Sequence, residues 1–196
     1  MSWFHKIAQA SQLEALQPYP QMVEPDDGEL ATEFQEEIAE AFQDGTYQQR
    51  WPGLKQRPQC FSSLENFISS VRRAKPVVLN EQQLLKVYNY ASVEEAVRLL
   101  MQGETDVSKQ TEKGFDEMVE DENTQMGESM KQRQEQGGYS KGDSYRHKVE
   151  LLTTGQSITY PVLINVNNQL CHVTGQTRQS AAVANGFVLP VKILES

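Results

Sequence analysis

Apolar positions recur at helical spacing in the first half of the chain and alternate with polar ones, strand-like, near its end. Between Asp26 and Phe42, the residues Leu30, Phe34, Ile38 and Phe42 form one stripe, which predicts an amphipathic helix opened by Asp27 or Gly28. Its glutamates, Glu29, Glu33, Glu36, Glu37 and Glu40, read as the solvated face behind that stripe. A second helix is predicted from Phe61 to Arg73, with Ser62 or Ser63 at its start and Leu64, Phe67, Ile68 and Val71 inward. Trp51, Pro52, Gly53 and Pro58 mark an irregular connection between the two. Lys75 and Pro76 end the second helix, and Val77 to Leu79 is a short strand. Asn80 caps a helix from Glu81 to Asn89, and Ser92 caps another from Val93 to Met101. Residues 2 to 17 carry Trp3, Phe4, Ile7, Ala8, Leu13 and Leu16 at loosely helical spacing, an end helix closed by Pro18 and Pro20.

From Gln102 to Asp143 the apolar residues thin out, too few to offset the entropy of ordering the segment unless it packs on something else. Helix returns from Ser144 to Thr153. The last stretch carries the period-two signal: Pro161 to Val166 is a β-branched run, Asn167 and Asn168 suit a tight hairpin turn, and Gln169 to Thr174 returns. Gly175 breaks the strand, an alanine-rich helix runs from Gln176 to Asn185, Gly186 sits where a left-handed cap belongs, and Val188 to Leu194 is a last strand. The expected class is α+β: a small mixed sheet at the C-terminus flanked by N-terminal helices. The divisions are 1–103, with a strand at 77–79 that can join the sheet, a polar insertion or linker at 104–143, and a core at 144–196.

The whole chain of 196 residues, 38% hydrophobic, is enough for one compact domain. Its formal charge of −9 argues against a protein devoted to sequence-independent nucleic-acid binding, which needs a basic surface. That acidity is uneven. Residues 139–196 hold five Lys or Arg against three Asp or Glu, and residues 1–138 hold 13 against 24. Two cysteines without a CxxC spacing fit a reduced compartment, and no metal site is predicted. No apolar run reaches the ~18 to 20 residues of a membrane span, so the expectation is a cytoplasmic protein with no membrane partner.

Chemistry concentrates at Thr174, Gly175, Gln176, Thr177 and Arg178. A glycine admits close backbone approach, and the first turn of a helix leaves amide donors and partial positive charge. Thr177 adds a hydroxyl and Arg178 a planar fork suited to phosphate oxygens. The alternative is that Thr174 caps a helix whose Arg178 lies solvated on the outer face. His172 shares a strand face with Leu170 and Thr174 and points either into the core or toward the same edge as Thr174.

The order of hairpin, Gly-x-x-Arg, alanine-rich helix, Gly186 and a Pro-Val-Lys-Ile strand resembles the ParB/sulfiredoxin superfamily, from about Ser144 to Ile193. The variant VTGQTRQSAA is most similar to its short phage-type members, which carry Gly-x-Thr-Arg where partition proteins carry Gly-Glu-Arg-Arg. The departures bear on activity. Sulfiredoxins place a reactive cysteine directly after the motif glycine, and Gln176 stands there, while partition proteins continue into a helix-turn-helix beyond the point where this chain stops.

What the resemblance implies is a nucleotide-binding protein, with ATP or another NTP and Mg2+ held at Thr174 to Arg178, acting as a phosphotransferase. By position in the family's kinases Glu150 is the general base; from the residues themselves, His147 is an alternative base, and His172 is either a satisfied sheet histidine or a proton carrier near the phosphate. The alternatives are a non-enzymatic interaction or structural protein with a protein partner, and a DNA-acting nuclease or modification accessory with a nucleic-acid partner.

Overall fold

The computed structural model describes residues 16–88 and 141–196. Among them helices and small sheets mix in an α+β arrangement. In chain order the elements are β1 (Gln17–Pro18), β2 (Met22–Val23), α1 (Asp27–Glu33), a π-helical stretch (Phe34–Ala39), α2 (Glu40–Gln43), α3 (Tyr47–Arg50), α4 (Leu64–Arg73), β3 (Pro76–Val77) and α5 (Glu81–Tyr88). After the undescribed interval come α6 (Lys141–Thr153), β4 (Ile158–Thr159), β5 (Val162–Val166), β6 (Gln169–Thr174), α7 (Gln176–Ala184), β7 (Phe187–Val188) and β8 (Val191–Glu195). The predicted helix at 93–101, nearly all of that at 2–17, and the segment 104–140 lie outside the described residues.

The main sheet is mixed, in the order β3-β8-β5-β6. Strands β5 and β6 form an antiparallel hairpin, with Val166 opposite Gln169 and both turn residues at positive φ, Asn167 at 52° and Asn168 at 65°. Two left-handed residues in succession match the right-handed twist of the flanking strands, which is why asparagine is accepted at both. Strand β8 returns parallel to β5, and β3 adds antiparallel to β8, Pro76 opposite Lys192. The short 77–79 segment therefore joins the C-terminal sheet, its strand beginning at Pro76 and ending at Val77. Two further pairs are parallel: β1 with β7 and β2 with β4.

Alternation along β5 sends its side chains to two apolar layers. Val162, Ile164 and Val166 pack with Leu30, Ile38, Trp51, Phe61, Phe67 and Val71 under the N-terminal helices. Leu163 faces the other way, toward Leu79, Leu84, Leu170, Val188 and Val191. A third cluster, built on Tyr19, Leu152, Ile158, Ala181, Ala182 and Leu189, joins α6 to α7. Each layer draws on both ends of the chain, so the upstream helices and the C-terminal sheet share their cores.

Local signals explain most helix boundaries. The cap of α1 is Asp26, one residue before the predicted positions, whose carboxylate accepts from the Glu29 amide at 2.8 Å. Ser63 caps α4 by accepting from Asn66 N. Asn80 and Gln83 bond reciprocally, side chain to amide, at the start of α5. The strict four-residue stripe of the first helix drifts steadily around a 3.6-residue turn. The wider π turn at Phe34–Ala39 turns it back, and Leu30 and Ile38 stay fully buried.

The structure corrects the sequence expectation at one place and adds to it at two. The last strand is interrupted at Leu189 and Pro190, because a proline breaks the ladder and lets β7 and β8 serve different sheets. Trp51 is 1% exposed, a core residue inside the irregular connection, and its indole N–H donates to the His172 carbonyl at 2.9 Å. The residues around Pro18 and Met22 form sheet pairs, not merely the end of a helix.

Candidate functional site

Strand β6 stands at the edge of the main sheet, and a cleft of about 1070 Å³ opens along it. The cleft is lined by all of β6, by the first turn of α7, and by side chains from α1, α3, α5 and α6. At its floor the chain turns from β6 into α7 through Gly175, whose φ is +81°. A Cβ built there would lie 2.7 Å from Pro161 Cβ and 2.8 Å from its Cα. Both the left-handed backbone and the contact with Pro161 therefore demand glycine. Gly175 is itself the helix cap and supplies no side-chain acceptor. The first-turn amides at Gln176 and Thr177 are thus left without a capping side chain, beside the cleft. Thr174 ends the strand and does not cap the helix.

Arg178 is 5% exposed, where the sequence left it facing either a phosphate or solvent. Its guanidinium donates to Glu29 Oε1 at 2.8 Å, to Glu33 Oε1 at 2.7 Å, to Thr174 Oγ1 at 3.1 Å and to Thr159 Oγ1. Thr159 in turn donates to Glu29 at 2.8 Å. Four elements, α1, β4, β6 and α7, are thereby tied through one side chain. A planar fork with several donors suits this arrangement, which a lysine could not reproduce.

The glutamates of the first helix consequently divide. Glu36 and Glu40 are exposed, as a solvated face requires, but Glu29 and Glu33 turn to Arg178 and line the cleft. Burial pushes the Glu33 carboxyl up, against the pull of Arg178, and the neighbouring Glu29 charge pushes the same way as burial. Only one Glu33 oxygen meets Arg178. The other, Oε2, is buried with no hydrogen-bond partner among the described residues. Sequence spacing could have flagged this pair, since Glu29 and Glu33 are four apart and fall on one helix face. What spacing could not supply was the buried arginine from the far end of the chain.

The remaining candidates are dispersed. His172 lines the cleft beside Thr174, and burial lowers its pKa to about 4, so its imidazole is neutral at pH 7. Glu150 is exposed on α6 and does not line the cleft, nor does the exposed His147. The α6 residue that does is Lys148. The residue is partly buried, and burial lowers its pKa, with Arg178 adding to the effect. Cys171 and Cys60 are free, buried thiols; burial raises both, Cys60 to about 11, which suits packing and not nucleophilic chemistry. Among the described residues no group of three His, Cys, Asp or Glu side chains could hold a metal ion, and no helix is long and apolar enough to cross a membrane.

The cleft therefore combines an uncapped helix N-terminus at its floor, a carboxylate wall and two lysines, Lys86 and Lys148, at its sides. The chain matches no protein-family model, no curated protein and no solved structure.

Proposed function

We propose that the cleft binds the phosphates of a nucleotide at the start of α7, and that the protein is an NTP-dependent phosphotransferase of ParB/sulfiredoxin type. The observation that carries the reading is Gly175. It is forced into a left-handed turn against Pro161 and opens α7 with no side-chain cap where a cleft of about 1070 Å³ gives a ligand access. Backbone amides at Gln176 and Thr177, the Thr177 hydroxyl and the helix dipole then supply the anion contacts. Arg178 holds the turn from beneath. Mg2+ would accompany the triphosphate and offset its charge. Of the carboxylates, Glu33 fits the role of proton acceptor better than Glu150, because it lines the cleft, where Glu150 does not, and burial raises its pKa.

A second reading, an interaction or structural protein that keeps the fold, draws on one specific observation. Both terminal nitrogens of Arg178 are engaged, by Glu29, Glu33, Thr159 and Thr174, as in a structural staple.

A thermal-shift titration with ATP, CTP, GTP and pyrophosphate, each with and without Mg2+, separates the two. A ligand present at ~100 times its dissociation constant adds about 2.7 kcal/mol, a rise of several degrees for a chain of this size. Stabilisation by at least one of these supports the phosphate site. No shift with any of them makes the staple the whole purpose of the network.

A further inference from the structure

We propose that Lys148 is the side-chain cation that meets the ligand's phosphate group in the cleft; the proposal rests on the phosphate reading above and names a residue that the sequence pattern does not single out. Arg178 is already committed. Both of its terminal nitrogens are held by a carboxylate and a hydroxyl, and to turn its fork to a phosphate would break ion pairs at 2.8 and 2.7 Å. Arg50, another cleft cation, is paired with Glu37.

Lys148 differs from both. It lies on α6, which packs on α7, and it lines the same cleft as Gln176 and Thr177 of the first turn of that helix. The residue is partly buried. It feels Glu29, Glu33 and Arg178 electrostatically, yet it forms no ion pair among the described residues. A partly desolvated cation without a close counter-ion is costly to keep, and an anion arriving at Gln176 and Thr177 would offset that cost. The local charges agree. Arg178 is the cation paired with Glu29 and Glu33, so Lys148 can approach a phosphate while Arg178 stays with the carboxylates. The same cation would bar a neutral ligand from gaining much at this position.

The test is calorimetric titration of pyrophosphate and Mg-ATP into the wild-type chain, Lys148→Met and Lys86→Met. Lys86 lies on another wall of the cleft, is exposed, and reports general attraction. The expected result is a fall in affinity of about tenfold to a hundredfold in Lys148→Met, the size of a lost charge-assisted hydrogen bond, with less than about threefold in Lys86→Met. Tighter binding of Mg-ATP than of pyrophosphate assigns the phosphate to a nucleotide; equal binding assigns it to the free anion, and the dependence on Lys148 is required in both cases. Unchanged affinity in Lys148→Met, or equal losses in both variants, overturns the proposal and leaves the phosphate site standing. Absence of binding by the wild type removes the phosphate reading itself. Should Lys148→Met fail to fold, acetylation of the wild type gives the answer: pyrophosphate slows modification of Lys148 but not of the exposed Lys75, and equal rates with and without pyrophosphate overturn the assignment.

Discussion

Two buried cations from the C-terminal region, Arg178 and Lys192, are each neutralised by acids of the same short N-terminal stretch, Glu24 to Glu33. Lys192 is 1% exposed on β8. Its ammonium donates to the Val71 carbonyl at 2.9 Å and pairs with Glu24 at 2.7 Å, with the Tyr160 ring 5.6 Å away. Glu24 is half in water, also near Arg72. Arg178 instead faces two carboxylates, one of them only 18% exposed, and stands beside a large cleft. The first corner is a staple whose Lys192 and Glu24 do not line the large cleft. The second buries more charge than a staple needs, leaves one carboxylate oxygen without a partner among the described residues, and adjoins a helix with no side-chain cap. Excess buried polarity next to a cavity, and not a buried ion pair as such, is what marks a site.

The sharpest way to break this contrast is to remove each cation at similar volume. Arg178→Met strands two carboxylates against each other and is expected to cost about 4 kcal/mol in denaturant unfolding; combining it with Glu33→Gln should recover part of that loss. Gly175→Ala is expected to cost about 3 kcal/mol through the left-handed backbone and the Pro161 contact. Its loss measured against a Gly186→Ala control isolates the contact, because Gly186 shares the positive φ but has open space around it.

His172 supplies a pH arm of similar size. Its folded pKa near 4 lies below the unfolded value of about 6.5, so its contribution is fully present above pH 6.5 and is lost as pH falls toward 4. The wild type should therefore lose about 3 kcal/mol relative to His172→Gln between pH 6.5 and pH 4. Glu33, whose folded pKa is raised, works in the opposite sense, and the comparison with His172→Gln removes it from the difference. Smallest is Lys192→Met, about 1 kcal/mol, since Glu24 can return to water and only the Val71 carbonyl is left unpaired. A loss as large as that of Arg178→Met would erase the distinction between the corners.

What could be read from the sequence follows the range of the interactions involved. The hairpin is local: two asparagines, both needing positive φ, fix the turn, and β6 begins and ends where the alternation says. Gly175 and Gly186 likewise announce themselves, because only a glycine serves cheaply at φ near +80°. The parallel pairs of Gln17 with Phe187 and Met22 with Ile158 join residues far apart in the chain, and two-residue strands leave no period to detect. The candidate site was legible on one side only. Its backbone half, Thr174 to Arg178, lies in one short stretch. Its charged half, Glu29, Glu33 and Lys148, looks like ordinary helix surface until the fold sets it around Arg178.

The most direct measurement is of the backbone amides themselves. In a two-dimensional NMR titration with pyrophosphate, the resonances of Gly175 to Arg178 should shift in proportion to saturation, while those of Lys192 and Val71 stay in place. Shifts absent from the α7 start, or equal at both corners, would contradict a phosphate site at Gly175 and leave Arg178, like Lys192, a staple.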